Sequence, residues 1–232
     1  MSTRIQAIAL GTTLLVLASC KATPAPYDYS AFLESRPRSI LVLPPLDKTL
    51  EAGASTHCLA TVTRPLAERG YYVFPVAIID LMMRENGLPT PFEMHQVPIS
   101  KLREVFDPDA VLYLTVTDWG SSYQVLSSVT TVSMQGVLVD AGTGETIWVG
   151  EHSSESSSSG GSSGLIESLV GALVDQVANS LSDPSTDLSR QNAWALFSND
   201  RHGLLPGPYH PEHDLRFNPP IATPASTSHA TK

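Results

Sequence analysis

Ala110-Val111-Leu112-Tyr113-Leu114-Thr115-Val116-Thr117 is rich in β-branched and aromatic residues and apolar at each of its first five positions. A strand with one wet face alternates apolar and polar residues. This one starts without alternating, which predicts a central strand covered on both faces. Upstream, Ser39-Ile40-Leu41-Val42-Leu43 ends at Pro44-Pro45, and Tyr71-Tyr72-Val73-Phe74 ends at Pro75. Both read as short buried strands. Between them, Leu59, Val62 and Leu66 recur at helical spacing over residues 55–69, with Gly70 as the stop and a kink or break expected at Pro65. Ile78, Ile79, Met82 and Met83 give one face of a helix ended by Gly87, after which Pro89, Pro91 and Pro98 mark a loop. A short helix from near Ser100 turns Leu102, Val105 and Phe106 inward and stops at Asp107-Pro108.

Downstream, residues 123–139 are strand-rich but exceed one ordinary strand, so a turn or bulge is expected near Ser127-Ser128. Asp140-Ala141-Gly142-Thr143-Gly144 has turn chemistry and returns the chain into Thr146-Ile147-Trp148-Val149 as a hairpin. Residues 153–164 are almost wholly serine and glycine and read as a flexible loop. Residues 165–181 carry an apolar stripe through Ile166, Leu169, Val170, Leu173, Val174, Val177 and Leu181, the pattern of a helix covering a core or meeting a partner. Asp187 or Ser189 caps a last helix with Ala193, Trp194 and Phe197. Strand, helix, strand, helix, then a meander and a helix, is an α/β (α+β) pattern: one domain with a mixed sheet of about five strands and helices packed on it.

The N-terminus decides the compartment. Arg4, an apolar run from Ile5 to Leu17 and the small residues Ala18-Ser19 form a secretory leader, too short to span a bilayer. Leu17-Ala18-Ser19-Cys20 resembles the lipobox of bacterial lipoproteins, in which the cysteine is acylated and becomes the mature terminus. The chain therefore divides into a signal peptide (1–19), a lipidated tether (20–36) that holds the domain off the membrane, the α/β domain (37–200) and a disordered proline-rich tail (201–232). Loss of Arg4 with the leader takes 14 Lys and Arg to 13, against 23 Asp and Glu, a formal charge of −10. That sign repels phosphate backbones, and with no basic cluster to offset it nucleic acid is excluded as a partner.

With Cys20 assigned to lipid, Cys58 has no partner in the chain, and a small buried helix residue is its expected role. Adjacent His57 points elsewhere and forms no pair with it. Gly160-Gly161-Ser162-Ser163-Gly164 lacks the lysine of a phosphate loop, and no Gly-x-Ser-x-Gly elbow is present. In the tail, His202, His210, His213 and His229 accompany Glu212 and Asp214, but Pro211 blocks the helix that would align His210 with His213 on a metal. Asp80, Glu85, Asp118 and Asp140 sit where solvated or capping roles suffice. The residues name no catalytic, cofactor or metal site.

Pro37-Arg38-Ser39-Ile40-Leu41-Val42-Leu43-Pro44-Pro45, then Pro65-Leu66-Ala67-Glu68-Arg69-Gly70-Tyr71-Tyr72-Val73-Phe74-Pro75, then Asp107-Pro108-Asp109-Ala110-Val111-Leu112-Tyr113 resemble a family of bacterial lipoproteins without an assigned function. The likeness runs from the leader to about residue 200 and leaves out the histidine-bearing tail. It implies a fold similar to the N-terminal domain of TolB and to the periplasmic part of the curli-secretion lipoprotein CsgG. It also implies a non-enzymatic envelope role, beside a CsgG-like lipoprotein, and carries over one site residue, the acylated Cys20. Lys21 stands where an inner-membrane retention signal typically places Asp, which favours an outer-membrane anchor facing the periplasm of a Gram-negative cell. The expectation is an accessory protein of envelope assembly or secretion, held by lipid, docking an envelope protein, and compatible with a homo-oligomer. Two alternatives stand beside it: a periplasmic hydrolase whose groups folding brings together, and a carrier of a small apolar ligand between the sheet and residues 165–181.

Overall fold

The computed structural model describes residues 26–124, 127–159 and 184–213. Strands β1 (Ser39–Val42), β2 (Leu46–Asp47), β3 (Tyr72–Val73), β4 (Ala110–Gln124), β5 (Ser127–Asp140) and β6 (Thr146–Ser159) form one mixed sheet in the order β3-β1-β4-β5-β6, with β2 paired to β4. β1 runs parallel to β3 and β4, while β4, β5 and β6 are an antiparallel meander. Six helices accompany it among the described residues: α1 (Ser30–Ser35), α2 (Ala54–Glu68), α3 (Val76–Glu85), α4 (Pro91–His95), α5 (Ile99–Phe106) and α6 (Pro184–Ser198).

Alternation along β1 and β4 builds two cores. Ile40, Val42, Ala110, Leu112, Leu114 and Val116 face α2 and α6, whereas Leu41, Leu43 and Val111 face α3, α4 and α5. The unalternating start of β4 is thus a strand buried on both faces, as its composition requires. Thr117 is an extra residue in the β4–β5 register, and this bulge puts Trp119 on the same buried face as Val116. Trp148 lies on that face against Phe197, over Gly136 and Gly150; a Cβ on Gly150 would sit 2.2 Å from its ring. Its indole Nε1–H donates to the His202 carbonyl.

Several expectations are corrected. The serine run does not begin a loop at 153: residues 153–159 continue β6, in register with β5 from Ser133 back to Ser127. Cross-strand pairing decides the matter here, since serine has little preference of its own. β4 ends at Gln124 and pairs there with Ser127, the first residue of β5, so the strands change over just before the expected Ser127-Ser128. α2 continues through Pro65 to Glu68; the proline costs one hydrogen bond in the last turn, and its ring is buried. The helix closes with Gly70 at φ +85°, where Tyr71 N–H reaches the Leu66 carbonyl. The proline-rich loop contains α4, started by a reciprocal Thr90–Glu93 capping box. Val105, expected inward, is 62% exposed.

Both expected domain boundaries move outward. The tether was expected to reach residue 36, yet the Tyr27 and Tyr29 rings meet at a tilt of 48° with centroids 4.6 Å apart, Phe32 is fully buried, and Val149 N–H donates to the Tyr27 hydroxyl. The tail was expected to be loose from 201. Instead Gly203 to Gly207 is buried: the Leu204 carbonyl accepts from the Arg69 guanidinium, the Leu205 carbonyl from Tyr71 Oη, and the Arg69 carbonyl from Gly207 N–H. Gly70 has a second reason to lack a side chain, because a Cβ there would lie 2.3 Å from His210 N. Residues 160–183, with the stripe at 165–181, lie outside the described residues.

Candidate functional site

Exposed apolar side chains occur at several places, among them Leu50, Phe92 and Tyr209, and α3 carries three of them. Ile79 and Met83 of α3 are buried, but Ile78 (53% exposed), Leu81 and Met82 stay in solvent, and Val105 of α5 joins them. Ile78, Ile79, Met82 and Met83 were expected on one face. Four positions spaced i, i+1, i+4, i+5 span more of the helix circumference than one contact covers, so the stripe splits into a buried and an exposed half. The signal for the exposed half was Leu81, three residues after Ile78 and outside the core periodicity.

Between α3 and α5 runs a groove of about 220 Å³ lined by Met82, Met83, Leu88, Val97, Leu102 and Phe106. α3 is held at the groove by its C-cap, in which Leu88 N–H bonds the Met83 carbonyl around Gly87 at φ +85°. α4 braces the layer from the other side: the His95 ring hydrogen-bonds the Pro44 carbonyl through Nε2 at 2.9 Å and meets Tyr113 edge to face. Burial lowers the His95 pKa, partly offset by that bond, so the ring is neutral near pH 7. Lys101 of the groove pairs with Glu104, and Asp80 pairs with Arg84 along α3. The groove thus offers an apolar floor that includes two methionines, with Asn86 and Lys101 as its polar lining. A wider, shallow hollow of about 860 Å³ lies along α6, lined by Trp194 and Ser198 with Asp200, Arg201 and His202.

The residues weighed for chemistry stand apart from one another. Cys20 lies outside the described residues. Cys58 is buried on α2 with Sγ 3.4 Å from Met134 Sδ, and burial, with Asp47 nearby, pushes its thiol up to about 12. It remains a protonated thiol, poorly suited to attack. His57 lies against Trp119 and pairs through Nδ1 with Thr186 Oγ1. His210 Nδ1 accepts from Glu212 N–H, and His213 Nδ1 meets the Pro206 carbonyl, so each ring serves its own turn. His229 and Asp214 lie outside the described residues. Asp80 is engaged by Arg84, and Glu85 and Asp118 are exposed. Among the described residues no three His, Cys, Asp or Glu side chains gather as a metal would require.

Two carboxylates that sequence reading passed over or left as turn residues are tied in. Asp109 receives hydrogen bonds from Arg38 N–H and from Ser39 N–H and Oγ, locking the start of β1 to β4. Asp140 accepts from Ser35 Oγ, Gly142 N–H and Thr143 N–H, joining α1 to the β5–β6 turn. Partial burial raises both pKa values, but the donors outweigh it and hold both below the ordinary carboxylate range. These are structural roles. The alternative of a ligand carrier placed its cavity against residues 165–181, outside the described residues.

The family described as "Putative lipoprotein GNA1162-like" matches residues 27–209. Its limits coincide with the folded span, starting at Tyr27 and passing the expected end near residue 200. The chain is 44% identical over 197 residues to the "Putative lipoprotein NMB1124/NMB1162" of Neisseria meningitidis serogroup B (strain ATCC BAA-335 / MC58), covering 84% of this chain and 92% of that protein. The crystal structure of lipoprotein GNA1162 from Neisseria meningitidis is similar at 45% identity and a TM-score of 0.51, over 62% of this chain and 99% of that one. The PelC dodecamer of Paraburkholderia phytofirmans is similar at 15% identity and a TM-score of 0.41, over 68% of this chain and 86% of that one.

Proposed function

The chain belongs to the GNA1162-like lipoprotein family, and we propose that it is an outer-membrane-anchored lipoprotein whose domain works in the periplasm as a non-enzymatic docking component of envelope assembly or secretion. Acyl chains on Cys20 supply one attachment, and the α3–α5 face supplies the other, by contact with an envelope protein. The reading rests above all on exposed apolar residues that neither core uses: Met82 and Val105, which line the groove, with Ile78 and Leu81 exposed on the same helix as Met82. The partner it fits presents a short apolar helix or loop to that groove. A CsgG-like lipoprotein is the candidate that the resemblance of residues 37–45, 65–75 and 107–113 suggests.

Two attachments make separable tests. Cys20→Ala is expected to move the chain from the membrane fraction to soluble or unprocessed forms. Intact mass of the wild-type protein is expected to show a mature N-terminus at Cys20 carrying acyl groups. An unmodified Cys20 thiol, or cleavage elsewhere, contradicts the anchor.

A further inference from the structure

β6 is the last strand of the sheet, and its free side carries backbone groups that the fold leaves open. Asp140 N–H donates to the Glu145 carbonyl across the β5–β6 turn, whereas Val149 N–H donates to the Tyr27 hydroxyl, away from β5. From Trp148 to Ser159 the pairing with β5 keeps one register. Alternate residues of an antiparallel strand turn both backbone groups to the same side. Glu151, Ser153, Glu155 and Ser157 therefore point their N–H and C=O outward, as Val149 does. Tyr27 occupies Val149, and among the described residues no hydrogen bond reaches the outward groups of the four that follow.

Trp148 faces α6, so the side chains of residues 151, 153, 155 and 157 share the opposite face, and all four residues are exposed. Glu151 accepts from Gln135 Nε2 at 3.4 Å and Ser153 Oγ bonds Ser133 Oγ, both across to β5 on that face. An open edge is commonly blocked by proline, lysine or a bulge. Residues 148–159 have none of these, and apart from His152 their ionisable side chains are Glu151 and Glu155. Those carboxylates oppose self-pairing. A second copy paired about Ser153 would set Glu151 opposite its Glu155, and pairing about Glu155 would set that residue opposite itself.

We propose that the outer edge of β6, from Glu151 to Ser157, is a strand-addition site for an extended segment of another protein with basic side chains four positions apart. The outward backbone groups bind any extended chain, and Glu151 and Glu155 select a basic one. The edge shares no residue with the α3–α5 groove and takes a partner of different chemistry.

The test uses the full-length protein in phosphatidylcholine vesicles, which carry no net charge, and a dye-labelled peptide of about ten residues, threonine and valine with two lysines four positions apart. Anisotropy is expected to show this peptide binding at least tenfold tighter than the same peptide with glutamates for lysines. Ser153→Pro removes an outward N–H that the β5 ladder does not use, and is expected to weaken binding at least tenfold at an unchanged melting temperature. Glu151→Gln with Glu155→Gln is expected to cut the preference for lysine below threefold, and decides alone should Ser153→Pro lower the melting temperature. Leu81→Ser is expected to bind the peptide as the wild type does. No binding of the lysine peptide, equal binding of both peptides, or unchanged binding and preference in the edge variants overturns the proposal. Loss of binding with Leu81→Ser would place the peptide in the groove and overturn it as well.

Discussion

α2 and α3 are both apolar helices beside the same sheet, and they treat their apolar residues differently. α2 buries Cys58, Leu59, Val62, Pro65 and Leu66 between β1, β4 and α6. α3 buries Ile79 and Met83 and leaves Ile78, Leu81 and Met82 outside. On the α2–α6 side, among the described residues, Trp148 fills the space over two glycines, and Asn192 ties α6 to the carbonyls of Val132 and His152. The α3–α5 side carries apolar surface beyond what its smaller core takes up. The contrast separates residues that make the fold from residues that it leaves exposed, which the proposal puts to use in docking.

The largest effect is expected where the α2–α6 side is opened. Trp148→Ala removes a fully buried ring and the indole bond to His202, and is expected to cost about 3–5 kcal/mol, read as the shift in denaturant midpoint. Asn192→Ala leaves the carbonyls of Val132 and His152 without their side-chain donor, and is expected to cost about 1–3 kcal/mol by the same measurement. A value near zero would show that α6 is not held by this residue.

A smaller effect concerns pH. The folded pKa of Asp109 lies below its unfolded value, so its stabilising contribution is complete above about pH 4 and is lost as pH falls through the folded value. Asp109→Asn is expected to flatten the acid limb of a stability-versus-pH curve and to leave the neutral region nearly level. An unchanged acid slope would remove Asp109 from the account of how β1 is pinned. The smallest stability effect is expected on the other side of the comparison. Leu81→Ser should change stability by no more than about 0.5 kcal/mol, because little packing is lost. A loss as large as that of Asn192→Ala would mean that Leu81 belongs to the core and would break the contrast.

The residues that announce this fold do so by violating a pattern. Unalternating Ala110 to Leu114, and Ile40 to Leu43 before two prolines, carry both faces of burial in their composition, and Asp140 to Gly144 carries its turn chemistry. Six-residue α1 is too short for periodicity, and its ordering comes from Tyr27, Tyr29 and Phe32 meeting β6 and Gly203, contacts distant in sequence. Residues 153–159 are strand because β5 supplies a ladder, which serine composition does not reveal. Gly203 to Gly207 looked like a tail because its partners, Arg69 and Tyr71, lie more than a hundred residues away. The proposed docking face was half legible: Ile78 and Met82 were singled out but put on one face with Ile79 and Met83, since which side of a helix meets the sheet is a tertiary fact.

The central claim is that the exposed half of α3 serves recognition and not folding. Crosslinking in intact envelopes, comparing the wild-type lipoprotein with Leu81→Asp at equal abundance and equal melting temperature, tests it most directly. The account expects a discrete envelope protein joined to the wild-type chain and lost, or reduced at least tenfold (about 1.4 kcal/mol), with Leu81→Asp. The same adduct at the same yield from both chains would contradict it.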